Sequence, residues 1–331
     1  MNRFLDILAS FSGLRVGVVG DFLLDQYVLG TTARVSREAP IVVVDYQDTV
    51  YHPGGAANAA QNVTALAGAA VAVGVLGADR EGDALQSLLA GRGVDTAHLM
   101  RPESAVTSTK LRILAGEMNA QKQQVARVDR SHHVTLDAAQ RKRLHAAVAH
   151  AAQSCGALLL ADYGLGVLDG ETIELAIGAC RSRAVPVVVD SRHRMRAFRG
   201  ATVATPNEVE AIAALELADE SALTDPAALR RAAAKTGIES VIVTRGSKGM
   251  VVCGADGVES VGIAGNTAAT DVTGAGDTVS AVVALSLAAG ATVGEAARMA
   301  TFAASVVVMK RGTATASPEE VRAAIESGGA R

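Results

Sequence analysis

Short, strongly apolar runs alternate with longer amphipathic ones along most of this chain. Residues 14–21 (LRVGVVGD) are apolar at nearly every position and stop at a Gly-Asp pair, which predicts a strand buried on both faces. The same character marks 70–79, 156–163, 185–191, a short piece from 202, and 240–246. Between them, 55–68, 83–93, 136–154, 171–184, the segment ending at 215, and 226–237 carry apolar residues at helical spacing. This alternation predicts an α/β fold with a parallel sheet covered by helices on both faces. Ligands of such sheets gather beyond the carboxyl ends of the strands. Asp21, Asp162, Asp190, Asn207 and Gly246 fall at or just past predicted strand ends, so they are expected to converge on one edge.

Two stretches break the pattern. Residues 22–52 and 104–129 alternate with period two and carry no helical signal, so they read as antiparallel strands outside the main sheet. Their expected place is a small β-layer over the strand ends, acting as a lid. Apolar residues on the far face of such a layer invite pairing with a second copy, so a homodimer through the lid is expected. The chain is expected to form one domain over 1–331, with the lid strands as insertions, and its last residues (ESGGAR) are expected to fray.

Composition narrows the class. The chain has 331 residues, 49% of them hydrophobic, and a formal net charge of −3. It can bury a large core, and nothing in its charge points to nucleic acid or a membrane surface. No purely apolar run approaches the length of a transmembrane helix, and Asp6 interrupts the N-terminal apolar run, so a cytoplasmic protein is expected. Cys155, Cys180 and Cys253 are widely spaced and suit small core residues in a reducing compartment. The histidines show no metal spacing.

The chemistry concentrates in DVTGAGD, Asp271 to Asp277, directly before the apolar helical run 278–290. A Gly-rich turn that opens a helix directs unpaired N–H groups and the positive end of the helix dipole at one point, which suits an anion. Asp277 at the helix start suits a base that takes a proton from an attacking hydroxyl, and it also suits an ordinary helix cap.

Four motifs together resemble the ribokinase-like (PfkB) carbohydrate kinase family: DVTGAGD, the Gly-Gly/Asn segment PGGAANAA, the N-x-x-E segment TPNEVE, and VTRGSKGM. The resemblance covers essentially the whole chain. It implies a three-layer α/β/α sandwich with a mostly parallel central sheet and a small β-sheet lid. It also implies ATP as phosphoryl donor, with Mg²⁺ and a monovalent cation, K⁺ being the candidate. Asp277 would be the base, and the N–H groups of Ala275, Gly276 and Asp277 would neutralise charge on the transferring phosphoryl, with Gly274 and Gly276 allowing close approach. Asn207 and Glu210 would order the Mg²⁺ hydration shell and the ATP phosphates. Glu208, Val209, Thr244, Gly246 and Gly249 would sit with the nucleotide, and Asp271 would lie by the monovalent cation. The acceptor sugar would meet Asp21, Asp25, Gly54, Gly55, Asn58 and Asp162.

A finer resemblance is to the D-glycero-β-D-manno-heptose 7-phosphate kinases of ADP-heptose synthesis, which phosphorylate O1. It is carried by VVGDFLLDQYVLG, the S-x-E-A-P motif Ser36 to Pro40, TKLRILA, ADYGLGVL and GTATASP. The chain carries no H-x-G-H motif, so no nucleotidyltransferase domain is expected. Cations for a substrate phosphate would come from Lys110, Arg112, Arg192, Arg194, Arg196 and Arg199. The subfamily pattern departs at Ser191-Arg192, where Pro-Lys is usual, and at Leu165, where Lys is usual. Two readings stay beside it: another sugar kinase, acting on fructose, ribose, a hexose phosphate or a nucleoside, and a non-catalytic nucleotide or sugar sensor on the same scaffold.

Overall fold

The apolar runs become interior strands because their side chains are needed on both faces of one sheet. The computed structural model describes residues 2–35, 38, 41–116, 122–265 and 269–328. In chain order the strands are β1 (Arg15–Gly20), β2 (Phe22–Val35), β3 (Val42–Gly55), β4 (Ala69–Val75), β5 (Asp95–Met100), β6 (Thr109–Gly116) and β7 (Gln123–Arg130). They continue as β8 (Ala157–Asp162), β9 (Val187–Ser191), β10 (Val203–Ala204), β11 (Ser240–Thr244), β12 (Met250–Gly254) and β13 (Gly257–Val261). The helices are α1 (Asn2–Ser10), α2 (Ala56–Ala65), α3 (Arg80–Gly91), α4 (Ala138–Ser154) and α5 (Gly170–Arg181). After these come α6 (Glu208–Leu215), α7 (Pro226–Thr236), α8 (Ala275–Ala288), α9 (Val293–Val307) and α10 (Pro318–Gly328).

Nine strands form the main sheet in the order β13-β12-β11-β10-β9-β8-β1-β4-β5. It is parallel from β5 through to β11. The β12–β13 hairpin then adds an antiparallel edge. Side-chain alternation splits the core in two. Val16, Val18 and Leu159 pack on the side of α2, α8 and α9. Val19, Leu158 and Leu160 pack on the side of α4, α5 and α7. The result is the expected three-layer arrangement. α8 begins at Ala275, three residues before its apolar run, and this places Asp277 in its first turn. No helix of the described residues is long and apolar enough to cross a membrane.

The second sheet has the order β3-β2-β6-β7. β2–β3 and β6–β7 pair antiparallel as expected. The central β2–β6 pairing is parallel, so the lid is a mixed sheet and not the antiparallel layer that local alternation implied. β2 leaves β1 after Asp21, and β3 runs straight into α2, so the inner ends of both strands are rooted in the core at Phe22, Leu24 and Gly55. This places the lid at the carboxyl end of β1, beside the predicted active edge. Of the S-x-E-A-P motif, Ser36, Arg37, Ala39 and Pro40 lie outside the described residues.

Candidate active site

The turn before α8 is shaped by Gly274, the helix N-cap, whose φ of 78° lies in the left-handed region that favours glycine. A Cβ there would stand 2.6 Å from Nδ2 of Asn58, so the turn packs directly on the α2 amide. A Cβ on Gly276 would meet nothing within 4 Å, which leaves its backbone open to the cavity. The Ala275 N–H donates to Val272 O at 3.2 Å. Among the described residues this leaves the N–H groups of Gly276 and Asp277 as candidate donors to an anion, two where the family resemblance implied three. These two lie at the positive end of the α8 dipole.

Asp277 is 7% exposed, and both its oxygens are engaged. Asn58 Nδ2 donates to Oδ2 at 2.6 Å, and the Tyr163 hydroxyl donates to Oδ1 at 2.6 Å. Asn58 is itself fixed. Gln61 donates to its Oδ1 at 2.5 Å, Asn62 donates to its main-chain oxygen at 2.9 Å, and the Thr278 hydroxyl donates to Asn62 at 2.9 Å. Asn58, Gln61 and Asn62 are spaced i, i+3, i+4, so α2 turns one amide stripe toward α8. Burial drives the Asp277 carboxyl above its ordinary value, while the Tyr163 and Asn58 hydrogen bonds pull it back. Burial, then the Asp277 charge, push neighbouring Asp190 up to about 8. Burial likewise drives the Tyr163 phenol well upward, so it stays a donor.

The cation candidates divide. Arg112 pairs with Asp25 at 2.5 Å, and Arg194 pairs with Asp162 at 2.5 Å. Arg196 is held by Glu216 at 2.5 Å, and Arg199 packs at Gly237. Among the described residues Lys110 and Arg192 make no ion pair. Both sit by the Tyr163 ring, with Lys110 Nζ 4.8 Å and Arg192 Cζ 4.7 Å from its centroid. Burial and the nearby Arg192 charge lower the Lys110 ammonium from its usual value.

A cavity of about 510 Å³ opens from Asp277 along the strand ends. Asp190, Arg192, Asn207, Glu210, Thr244 and Gly246 line its polar side, with Gly249 near them. Met250, Ile263, Val272, Ala304 and Val308 make an apolar side that suits a flat aromatic base. Asn207 and Glu210 cap α6 reciprocally, each side chain bonding the other's main-chain N–H at about 3.0 Å. Asn207 stays exposed and Glu210 half-buried at the cavity wall, so the cap leaves room for a ligand role. Glu208 instead pairs with Arg245 at 2.8 Å, and Val209 is 77% exposed; neither lines the cavity, so neither is placed to touch a nucleotide there.

Other expected ligands are committed within the protein. Oδ2 of Asp21 accepts from the N–H of Tyr163 at 2.8 Å and of Leu165 at 3.0 Å, and Oδ1 accepts from Val167 at 3.3 Å. Asp21 thus holds the 163–167 loop. Asp162 is buried between Ser191 and Arg194. A Cβ on Gly54 would stand 2.7 Å from Asp25 Oδ2, so that glycine makes room for the Asp25–Arg112 pair. Gly55, the N-cap of α2, lets β3 turn into the helix. Asp271 accepts from Thr273 and Gly312, each at 2.9 Å, tying the anion turn to the loop after α9; that spends both its oxygens on backbone. Sequence reasoning placed Asp190 on the active edge without giving it a role, and it missed Tyr163 and the Gln61–Asn62 pair. Tyr163 adjoins the strand-end Asp162 already noted, which was the available signal.

The comparisons with known proteins give the family and the fold. Residues 18–320 match the pfkB family of carbohydrate kinases. The chain is 38% identical over 325 residues, 97% of its length, to the Bifunctional protein HldE of Rhodospirillum rubrum, covering 64% of that protein. It is 39% identical over 323 residues, 96% of its length, to the protein of the same name from Mesorhizobium japonicum, covering 63% of it. The chain thus spans just under two thirds of these relatives. Its fold is similar to phosphofructokinase-2 from Escherichia coli in complex with substrates and products, at TM-score 0.75 and 20% identity over 96% of this chain and 99% of that one. Arabidopsis thaliana ribokinase complexed with ribose and ATP gives 0.72 and 20%, over 95% and 99%. The chain belongs to the pfkB family of carbohydrate kinases, phosphotransferases with an alcohol group as acceptor.

Proposed function

We propose that this kinase transfers the γ-phosphoryl of ATP to a phosphorylated sugar, with O1 of D-glycero-D-manno-heptose 7-phosphate as the acceptor. The observation that carries the reading is the pair of cations beside the base. Lys110 and Arg192 flank Tyr163 without carboxylate partners among the described residues, while the other arginines of the region are neutralised or packed away. Asp277 offers them one negative charge in common, and an anionic acceptor would supply further countercharge.

The transfer follows from the site. Asp277, ionised and fixed by Asn58 and Tyr163, accepts the proton of the acceptor hydroxyl as that oxygen attacks phosphorus. The N–H groups of Gly276 and Asp277 face the transferring oxygens, and the α8 dipole adds to their pull. Asn207 and Glu210 are hard oxygen donors and suit Mg²⁺. The ion would be carried mainly by water and the ATP phosphates. That ion would neutralise charge on the phosphates. A K⁺ ion near Asp271 would bind chiefly through main-chain oxygens, with Asp271 fixing the turn that presents them. Lid closure would keep water from the phosphoryl group.

A panel of phosphorylated and unphosphorylated sugars tests the acceptor. Heptose 7-phosphate should give the highest kcat/KM. Turnover confined to an unphosphorylated sugar would remove the proposal. The lid also exposes Ile41, Val42, Tyr46, Val125 and Val128, which supports a homodimer formed through this sheet. Sedimentation should give a dimer across micromolar concentrations, and a monomer throughout that range would overturn the assembly.

A further inference from the structure

We propose that Tyr163 is a positioning residue for the phosphoryl-transfer base, its hydroxyl orienting the Asp277 carboxylate and holding it in the ionised form that accepts the acceptor proton. The inference rests on the kinase reading given above and names a residue that reading does not require.

Four contacts carry it. The Tyr163 hydroxyl is 2.6 Å from Oδ1 of Asp277, opposite the Asn58 amide on Oδ2. A carboxylate gripped at both oxygens cannot rotate, so its free lone pairs point one way. The ring is clasped by Lys110 and Arg192 at 4.8 and 4.7 Å. The main chain of Tyr163 is anchored by Asp21 at 2.8 Å. No part of this arrangement is needed to build the helix turn, because Gly274 already caps α8. A phenylalanine would fill the same apolar volume. What the hydroxyl adds is a donor aimed at the base.

The electrostatic setting gives this donor a task. Asp277 is faced by Asn58 from α2, Lys110 from β6, Tyr163 from the loop after β8, and Asp190 and Arg192 from the end of β9. Burial and the Asp190 carboxyl oppose its ionisation, while Tyr163, Asn58 and the two cations favour it. Tyr163 supplies one of only two hydrogen bonds to this carboxylate among the described residues, and each such charge-assisted bond is strong.

The test is Tyr163→Phe, read as a pH profile of kcat/KM, which reports the ligand-free enzyme where the bond is seen. Asp277 must be ionised, so activity falls as pH drops through its pKa. Losing a donor to the charged form raises that pKa, and the acid limb should move to higher pH by about one unit. The pH-independent kcat/KM should fall about tenfold. ATP affinity, set by the far end of the cavity, should not change. An unchanged acid limb, with or without lower activity, overturns the inference, because a purely structural tyrosine would not move it. Site-specific 3-fluorotyrosine at 163 is the second variant; its more acidic hydroxyl donates more strongly and should move the limb the opposite way. It keeps the inference testable if Tyr163→Phe does not fold, and a limb that fails to move with it overturns the inference. If the wild-type protein transfers no phosphoryl to any sugar, the kinase reading itself fails, and that result is distinct from either variant outcome.

Discussion

Asp277→Asn is expected to lower kcat by about 10²–10⁴-fold, the usual worth of a positioned general base, while leaving ATP affinity within a small factor of wild type. The substitution suits the test because the site tolerates it. The amide oxygen can still accept from Asn58, as Oδ2 does now at 2.6 Å. The amide nitrogen can donate to Tyr163, whose hydroxyl turns to accept instead. Asn58 and Tyr163 each keep a hydrogen bond to the new side chain, so the Gly274 turn and α8 keep their shape. Only the capacity to take a proton is lost. The wild-type protein should also show an acid limb above the ordinary aspartate range, about 3.9, because burial raises the Asp277 carboxyl and activity needs its charged form. In Asp277→Asn that limb should vanish from the residual rate. Steady-state kinetics across pH and calorimetric titration of ATP check both points. A variant with near-wild-type kcat would remove Asp277 as the base.

How much of this site could be read from the chain depends on how local each part is. DVTGAGD was legible because its glycines, its carboxylates and the helix it opens are contiguous, and α8 begins within it at Ala275. The parallel sheet was legible because burial on both faces writes an apolar run into each strand. The lid strands declared themselves by alternation. Their pairing did not: β2 and β6 are far apart in sequence, and nothing in either run says that they lie parallel. The β12–β13 hairpin, β5, α1, α9 and α10 were not singled out in advance. Among the site residues, what the sequence left open has one cause. A carboxylate at a strand end can meet a ligand or hold a neighbouring loop, and only the packing of distant segments decides which. Asp162 was given to Ser191 and Arg194, Asp25 to Arg112, and Glu208 to Arg245. Tyr163 gains its importance the same way, since the groups around it come from α2, α8, β6 and β9.

Asp21→Ala is expected to destabilise the protein by about 3 kcal/mol and to abolish most of its activity, whereas Asp21→Asn should do much less of either. Asp21 is buried beyond β1, and its carboxylate accepts the N–H groups of Tyr163, Leu165 and Val167. Removing it orphans three donors in the 163–167 loop, each costing about 1–3 kcal/mol when it stays dry, and water entering the space recovers part of that. The loop carries Tyr163, so its loosening also frees the Asp277 carboxylate and the two cations stacked on the ring. Asparagine differs for a geometric reason. The two shorter bonds, from Tyr163 at 2.8 Å and Leu165 at 3.0 Å, share one oxygen, and the amide oxygen can take that place. Only the 3.3 Å contact from Val167 is lost. Asparagine also avoids ionising a group whose carboxyl is raised by burial, which offsets some of that loss. Denaturant midpoints together with kcat and KM separate this role from sugar binding. A loop-holding Asp21 gives a large stability gap between the alanine and asparagine variants, with KM for the sugar nearly unchanged in the asparagine variant. An acceptor-binding Asp21 gives little stability change in either and a raised sugar KM in both, and that outcome would return Asp21 to the substrate site and release the loop from its control.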